Sequence, residues 1–244
     1  MNDHRDLEGL RALVTGATSG IGRAAAGQLA GHGAEVIVHG RDAARGGEVV
    51  DAITAAGGKA RFVAADLTQP AELDGLAEQA SQVDILVNNA GTAWFGPTAE
   101  LDVPAFDQLF TANVRPAYFL TAALAPEMAA RGSGSIINVG SMAGEIGMPG
   151  GAAYGGTKAA VDSMTRSWAA EFSPAGVRIN TVASGPVYTA IQPAEVTESV
   201  GATTVMARAA QPEEIAAVIT FLASPRASYI TGAVISADGG RAAI

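Results

Sequence analysis

The stretch Leu10–Gly22, LRALVTGATSGIG, decides the fold of this chain. A short apolar run leads into a turn with three glycines, and the alanine-rich segment Arg23–Gly31 follows. This order predicts a strand, a tight turn and a helix. Backbone N–H groups at such a helix start favour an anion such as a pyrophosphate, and glycines let the backbone approach it closely. The spacing is Gly-x-x-x-Gly-x-Gly, and its position between strand and helix indicates a nucleotide-binding turn.

Apolar runs and helical segments alternate along the rest of the chain. We predict further strands at Ala34–His39, Arg61–Ala65, Val83–Val87, Ser135–Val139, Val177–Val182 and Ala233–Ser236. We predict helices at Ala43–Ala56, Ala71–Ser81, Pro104–Ala130, Tyr154–Phe172 and Glu213–Leu222, and a less regular segment from Thr189 to Arg208. This alternation predicts an α/β, Rossmann-type doubly wound fold, with one seven-stranded parallel sheet and helices on both faces. No linker or repeat interrupts the pattern, so we expect a single domain over residues 1–244.

Composition narrows the functional classes. The net charge is −9 without a run of Lys and Arg, so no nucleic-acid partner is expected. The absence of cysteine excludes disulfides and thiol catalysis and permits a reducing compartment, and we expect a cytoplasmic location. The three histidines lack ligand spacing, which predicts no metal site. The segment Met1–Asp6 lacks the apolar core of a secretory signal, and no apolar stretch approaches the ~20 residues that span a bilayer, so no membrane association is expected.

The stretch Ser141–Lys158, SMAGEIGMPGGAAYGGTK, carries the candidate catalytic groups. Tyr154 and Lys158 share one face of a helix, because they are four positions apart. A nearby ammonium favours the ionised form of a phenol. Ser141 follows a predicted buried strand, where its hydroxyl can hold a carbonyl oxygen while the tyrosine donates a proton. A lone Tyr-x-x-x-Lys pair is often accidental, so its meaning depends on the rest of the chain.

The chain resembles the short-chain dehydrogenase/reductase family over essentially its whole length. The motifs that carry the resemblance are TGATSGIG at 15–22, NNAG at 88–91, Asn113, Ser141, YGGTK at 154–158, PEEIA at 212–216, YITG at 229–232 and DGG at 238–240. The resemblance implies a nicotinamide-dependent oxidoreductase in which Tyr154 is the acid in reduction and the base in oxidation. It implies that Ser141 holds the substrate carbonyl and that Lys158 assists the tyrosine and binds the nicotinamide ribose. Asn113 would hold a water in the proton relay.

The resemblance also assigns residues to the cofactor. Gly16, Thr18, Ser19 and Ile21 would contact the pyrophosphate, and Asp66 and Leu67 would contact the adenine. Asn88 and Ala90 would lie at the adenosine ribose, and Val187 and Thr189 at the nicotinamide carboxamide. Arg41 follows the second strand, where a cation favours the 2′-phosphate of NADP(H) and a carboxylate would favour NAD(H). Asp42 competes for that role but is better suited to cap the next helix. We expect NADP(H), and NAD(H) stays possible.

Two local features concern the shape of the site. Ser184-Gly185 stands where the family usually has Pro-Gly, and a proline there would stiffen the loop. Gly155 and Gly156 reduce helix propensity just inside the active-site helix. We interpret them as room for close approach of the cofactor or of the backbone.

The leading hypothesis is an NADP(H)-dependent carbonyl reductase for a small or medium, largely apolar ketone or its secondary alcohol. The residues expected around the substrate contain no cation, although Arg208 could swing toward them; they are Trp94, Phe95, Met142, Ala143, Ile146, Met148, Tyr188 and Ile191. The alternative is a 3-oxoacyl-[acyl-carrier-protein] reductase, which the net charge of −9 disfavours because carrier proteins are acidic. A non-catalytic nucleotide-sensing regulator is a third hypothesis, disfavoured because Ser141, Tyr154 and Lys158 are all present.

The resemblance further implies a homotetramer. Family members commonly pair the helices that here are Pro104–Ala130 and Tyr154–Phe172. The second helix carries more apolar surface than one face of a sheet should cover. No other macromolecular partner is expected, and the substrate is a small molecule.

Overall fold

The computed structural model describes residues 5–244; residues 1–4, which include His4 and most of the segment Met1–Asp6, lie outside the described part. The chain forms one parallel sheet with strand order β3-β2-β1-β4-β5-β6-β7. Its strands are β1 (Arg11–Val14), β2 (Glu35–Gly40), β3 (Lys59–Ala64), β4 (Ile85–Asn88), β5 (Gly134–Ser141), β6 (Val177–Ser184) and β7 (Val234–Ala237). Its helices are α1 (Gly20–Gly31), α2 (Ala43–Ala55), α3 (Pro70–Gln79), α4 (Val103–Asn113), α5 (Arg115–Arg131), α6 (Ala152–Phe172), α7 (Ala194–Gly201) and α8 (Pro212–Ala223). The predicted fold class is confirmed.

Helices cover both faces of the sheet, because the strands are apolar on both sides. On one face α1, α2 and α8 supply buried side chains such as Leu29, Val49 and Ile219. On the other face α3, α5 and α6 supply Leu76, Leu124 and Trp168. Helix α1, which begins at the glycine turn, packs beside α8, and the Gln28 side-chain amide donates to the carbonyl of Glu213 at 2.9 Å.

The strand order reverses at β1, which lies between β2 and β4. Val14 of β1 is in register with Val38 on one side and with Val87 on the other. The carboxyl ends of the central strands therefore form one edge, and the loops that leave it diverge. In open α/β sheets, ligands bind at this kind of switch point.

Three predicted elements differ from those observed. The long helix Pro104–Ala130 is divided in two at Val114 (φ −106°, ψ −51°), because Pro116 has no N–H to continue the helical hydrogen bonds. The segment after Thr189 contains α7, which the sequence pattern missed. Strand β3 begins at Lys59, since pairing with β2 already starts there. Within residues 5–244, no helix is long and apolar enough to cross a membrane.

Candidate active site

The glycine turn after β1 has a shape that only glycine permits at two positions. Gly16 has φ +63°, and a Cβ there would lie 2.9 Å from the Cα of Ala90. A Cβ at Gly22 would collide with the Asn89 side chain and the Gly16 carbonyl. The turn therefore lies directly against the NNAG segment, and its surface is backbone that an anionic ligand can approach.

Two side chains outside the predicted site fix this turn to the end of β4. The Thr15 hydroxyl oxygen accepts from the backbone N–H groups of Asn89 at 2.9 Å and Ala90 at 3.0 Å. The Asn89 side-chain amide donates to the carbonyls of Thr15 at 2.8 Å and Gly16 at 3.1 Å. Both residues belong to motifs already noted, TGATSGIG and NNAG, but nothing in a single motif shows that the two bind each other.

His39, at the end of β2, joins the turn to the next strand. Its Nδ1 accepts from the backbone N–H of Gly16 at 3.2 Å, and its Nε2 donates to the carbonyl of Ala65 at 3.1 Å. The ring is 3% exposed. Burial lowers the pKa of His39 and outweighs the opposing effects of the Ala65 carbonyl and the Asp66 carboxylate. A neutral imidazole therefore links the glycine turn to Ala65, next to the residues expected at the adenine.

At the expected adenosine end, Arg41 is exposed and Asp66 is half-buried. Asp66 accepts from the backbone N–H and the hydroxyl of Thr68 at 3.0 and 2.8 Å. These bonds lower the pKa of Asp66, and the nearby positive charge of Arg41 acts in the same direction. Asp42 caps α2 by accepting from the Arg45 N–H at 3.1 Å, as predicted. Leu67 is buried.

A groove of about 830 Å³ runs between the start of α1 and the loop after β6. It brings together Ser19, predicted at the pyrophosphate, and Thr189, predicted at the nicotinamide. Ser19 is the N-cap of α1, and its side chain makes no capping bond. The remaining residues of this group lie against the chain itself: Thr18 beside Gly40, Ile21 against the core, and Val187 bridged to Ala210.

Lys158 and Tyr154 lie together where α6 approaches β5, the strand that ends at Ser141. The Lys158 ammonium donates to the carbonyl of Val139 at 2.9 Å and lies 5.7 Å from the centroid of the Tyr154 ring. The Ser141 hydroxyl oxygen accepts from the N–H of Ala143 at 3.2 Å, which leaves the hydroxyl hydrogen available to donate. The Phe95 ring packs edge-on against Tyr154, with centroids 5.3 Å apart.

Asn113, the last residue of α4, is held by three hydrogen bonds. Its Oδ1 accepts from the Thr92 N–H at 2.8 Å, and its Nδ2 donates to the Thr92 carbonyl at 2.9 Å and to the Thr157 hydroxyl at 3.0 Å. The side chain thus anchors the segment after NNAG to α6. Asn113 also lines a small cavity together with Asn88, Ala90 and Lys158.

The two glycines after Tyr154 behave differently. A Cβ at Gly155 would collide with the carbonyl oxygen of Ala143, so this position does give the backbone room to approach, as interpreted from the sequence. No part of the described chain lies within 4 Å of a Cβ at Gly156, which is exposed. Helix α6 therefore touches the Ser141 segment through Gly155.

The fold and the geometry of the site are those of a nicotinamide-dependent oxidoreductase, and the comparison with known proteins agrees with this class. Residues 16–242 match a family model described as enoyl-(acyl carrier protein) reductase. A solved structure of a short-chain dehydrogenase/reductase family protein is 50% identical, with a TM-score of 0.91 over 98% of this chain and all of that one. The chain belongs to the short-chain dehydrogenase/reductase family.

More distant relatives carry names for particular reactions. A Beutenbergia cavernae protein assigned as an NAD(P)-dependent gluconate 5-dehydrogenase, crystallised with NADP at low occupancy, is 38% identical with a TM-score of 0.94 over 98% of this chain and 99% of that one. The cis-4-hydroxycyclohexanecarboxylate dehydrogenase of Sinomonas cyclohexanicum is 38% identical over 96% of each chain. A 3-oxoacyl-[acyl-carrier-protein] reductase of Synechocystis is 37% identical over 94% of this chain and 95% of the relative.

Proposed function

We propose that this protein uses NADP(H) to reduce a ketone, or to oxidise the corresponding secondary alcohol, with Tyr154 as proton donor and acceptor. The observation that carries the proposal is the fixed position of Lys158. Its ammonium is bound to the Val139 carbonyl on β5, the strand that ends at Ser141, and it faces the Tyr154 ring from the same helix.

The residues present fit a dinucleotide. The glycine turn packs directly against the NNAG segment, because Gly16 and Gly22 carry no Cβ, and its outer surface before α1 is bare backbone that suits a pyrophosphate. The buried Oδ1 of Asn88 has no hydrogen-bond partner among residues 5–244, so it can accept from a ribose hydroxyl. Ser19 and Thr189 would hold the pyrophosphate and the carboxamide along the groove. Bound there, the nicotinamide would supply or accept the hydride.

The chain's own residues handle the carbonyl oxygen and its proton. Ser141 donates its free hydroxyl hydrogen to that oxygen and orients it. Tyr154 donates the proton, and the Lys158 ammonium stabilises the phenolate that remains. The Asn113 side chain is already hydrogen-bonded to Thr92 and Thr157, so a relay water would bind at the backbone carbonyl of Asn113.

Arg41 supports NADP(H) as the cofactor. It is exposed directly after β2, and the competing Asp42 is bound to Arg45 through both its cap bond and an ion pair at 2.9 Å. A cation at this position matches a 2′-phosphate. The solved relative that binds NADP is consistent with this assignment.

A largely apolar substrate without an obligatory anionic group is also proposed. Arg208, the one cation expected near the cleft from the sequence, forms a two-bond ion pair with Glu214 at 2.7 and 2.8 Å. Phe95 supplies an apolar wall beside Tyr154. Two relatives are named for substrates that carry a carboxylate. A comparison of neutral and carboxylate-bearing substrates therefore tests this part of the proposal.

A 3-oxoacyl-[acyl-carrier-protein] reductase is the second candidate, favoured by the Synechocystis relative and by the family description. The two candidates are separated by assaying neutral ketones, 3-oxoacyl thioesters and secondary alcohols with NADPH and NADH, following nicotinamide absorbance. Turnover confined to acyl thioesters would select the second candidate, and no turnover with any substrate would reject both.

We also propose that the protein is a homotetramer located in the cytoplasm. The cysteine-free sequence suits a reducing compartment.

A further inference from the structure

Asp162 is a buried carboxyl group with no role in the reaction described so far. It lies on α6 one turn beyond Lys158 and is 5% exposed. Its Oδ1 has no hydrogen-bond partner in the described part of the chain. Burying a polar atom without a partner costs stability, so its presence so close to the catalytic lysine calls for a reason.

The Asp162 carboxyl fits between two glycines that flank Ser141. A Cβ at Gly140 would lie 3.2 Å from Oδ1, and a Cβ at Gly144 would lie 3.1 Å from Oδ2. Gly140 precedes Ser141 on β5, and Gly144 ends the 3-10 turn Met142–Gly144 that follows it. Both ends of the segment that carries the Ser141 hydroxyl therefore rest against one carboxyl group.

The charges around Asp162 come from several elements. Burial raises its pKa to about 6, and the carboxylate of Glu145, just after the 3-10 turn, adds to the rise. The Thr181 side chain on β6 and the cations Lys158 and Arg166 on α6 act in the opposite direction. Glu145 itself accepts from the Ser236 hydroxyl on β7 at 3.0 Å. We therefore expect Asp162 to gain its charge near a pH of about 6.

We propose that Asp162 is a positioning residue for the oxidoreductase reaction: its side chain separates the Ser141 segment from α6, and its carboxylate stabilises the ammonium of Lys158. This inference rests on the proposed function. The attraction follows from the spacing of four residues on one helix in a poorly solvated region. The residues assigned to the pyrophosphate, the adenine and the carboxamide lie on other elements, so we expect this carboxylate to affect cofactor binding only through Lys158, which is assigned to the nicotinamide ribose.

The test compares kcat and KM from pH 5 to 8 in the wild type and three variants. Asp162→Asn keeps the size of the side chain and removes its charge. We expect kcat to be about tenfold lower at pH 8, equivalent to one pK unit of lost interaction, with a much smaller change in KM for the cofactor and without the wild-type fall in kcat below about pH 6. Glu145→Gln should move that fall to lower pH and leave kcat at pH 8 unchanged. Ser163→Ala, at an exposed position on the same helix, should match the wild type.

The outcomes separate this inference from the proposed function. A wild-type kcat and pH profile in Asp162→Asn would overturn the positioning role while the oxidoreductase activity stands. A wild type without turnover on any substrate would overturn both. If Asp162→Asn does not fold, as judged by circular dichroism, Glu145→Gln decides, because an unchanged acidic limb in that variant rejects the proposal. Because burial raises the pKa of Asp162, its buried charge lowers the stability of the fold even though it assists Lys158. As a readout independent of turnover, Asp162→Asn should therefore raise the midpoint of thermal unfolding at pH 8 and not at pH 4.

Discussion

The Ser184 hydroxyl donates a hydrogen bond to the carbonyl oxygen of Gly140, 3.2 Å away. Ser184 and Ser141 are register partners at the ends of β6 and β5. The family usually has a proline where Ser184 stands, and the ring of a proline would restrict the loop. Here a side-chain bond joins the two strand ends, so the loop that leads to Val187 and Thr189 is fixed to the strand that carries Ser141.

Replacement of Tyr154 by phenylalanine should lower kcat by about 10²–10⁴-fold, because the variant lacks the group that transfers the proton. The affinity for NADP(H), measured by fluorescence titration, should stay within about twofold, since the ring and its contact with Phe95 remain. Tyr229→Phe is the matched control, because Tyr229 is fully exposed and should not affect activity. A Tyr154→Phe enzyme with a substantial share of wild-type kcat would show that another group donates the proton.

Arg41→Ala should lower kcat/KM for NADPH by about ten- to a hundredfold, the range for losing ~1.5–3 kcal/mol of hydrogen bonds to a charged group. The value for NADH should change little, because NADH has no 2′-phosphate. Lys59→Ala serves as control, since Lys59 is an exposed cation at the opposite end of the neighbouring strand β3. Equal use of NADH and NADPH by the wild type, or no effect of Arg41→Ala, would contradict the assignment of the cofactor.

A neutral ketone should be reduced at least as well as its carboxylate-bearing analogue. The Arg208 guanidinium is bound to Glu214, and carboxylate recognition normally uses such a cation. Steady-state kinetics with matched substrate pairs test this expectation. A preference for the anion by more than about tenfold in kcat/KM, ~1.4 kcal/mol of transition-state binding, would mean that a cation lines the cleft after all.

The protein should have four times the 24.4 kDa mass of one chain in solution. Helices α4 and α5 expose three aromatic side chains, Phe106 at 43%, Tyr118 at 46% and Phe119 at 52%, and exposed apolar patches of this kind mark interfaces. Phe119→Glu should give a smaller assembly by light scattering. Ala52→Glu, at an exposed position on α2, should not. A monomeric wild type at micromolar concentration would refute the tetramer.

His39 should make the protein less stable in mild acid. Because burial lowers its pKa, the folded protein keeps the ring neutral while the unfolded chain takes up a proton near pH ~6.5. The His39 contribution to the free energy of unfolding is therefore complete above that pH and is lost as the pH falls through it. Urea unfolding of the wild type and His39→Gln at several pH values should show a steeper acid loss in the wild type. Asp162 is present in both proteins, so its opposite effect cancels in the comparison; parallel curves would contradict the role of His39.

Sequence predicted the sheet well because its signals are local. The apolar runs gave every strand to within two residues at its start, and the turn glycines were visible in the motif at 15–22. The break at Val114 follows from Pro116, which the sequence shows as a kink residue. Helix α7 is only eight residues long and lies in a segment rich in small and polar residues, so no apolar pattern marked it. The bonds from Thr15 to Asn89 and from His39 to Gly16 and Ala65 join positions far apart in the chain. Only the folded sheet brings such partners together.

The packing of α1 beside α8 affects the order in which the protein folds during its synthesis. Every residue assigned to the cofactor precedes position 190, yet the apolar face of α1 is covered by side chains such as Ile215 and Ile219 of α8. When Thr189 has just left the ribosome, the nascent chain therefore contains all the residues assigned to the cofactor. The core side of α1 is still exposed at that point. We therefore expect nucleotide binding to become available only when residues 212–223 emerge and close that face.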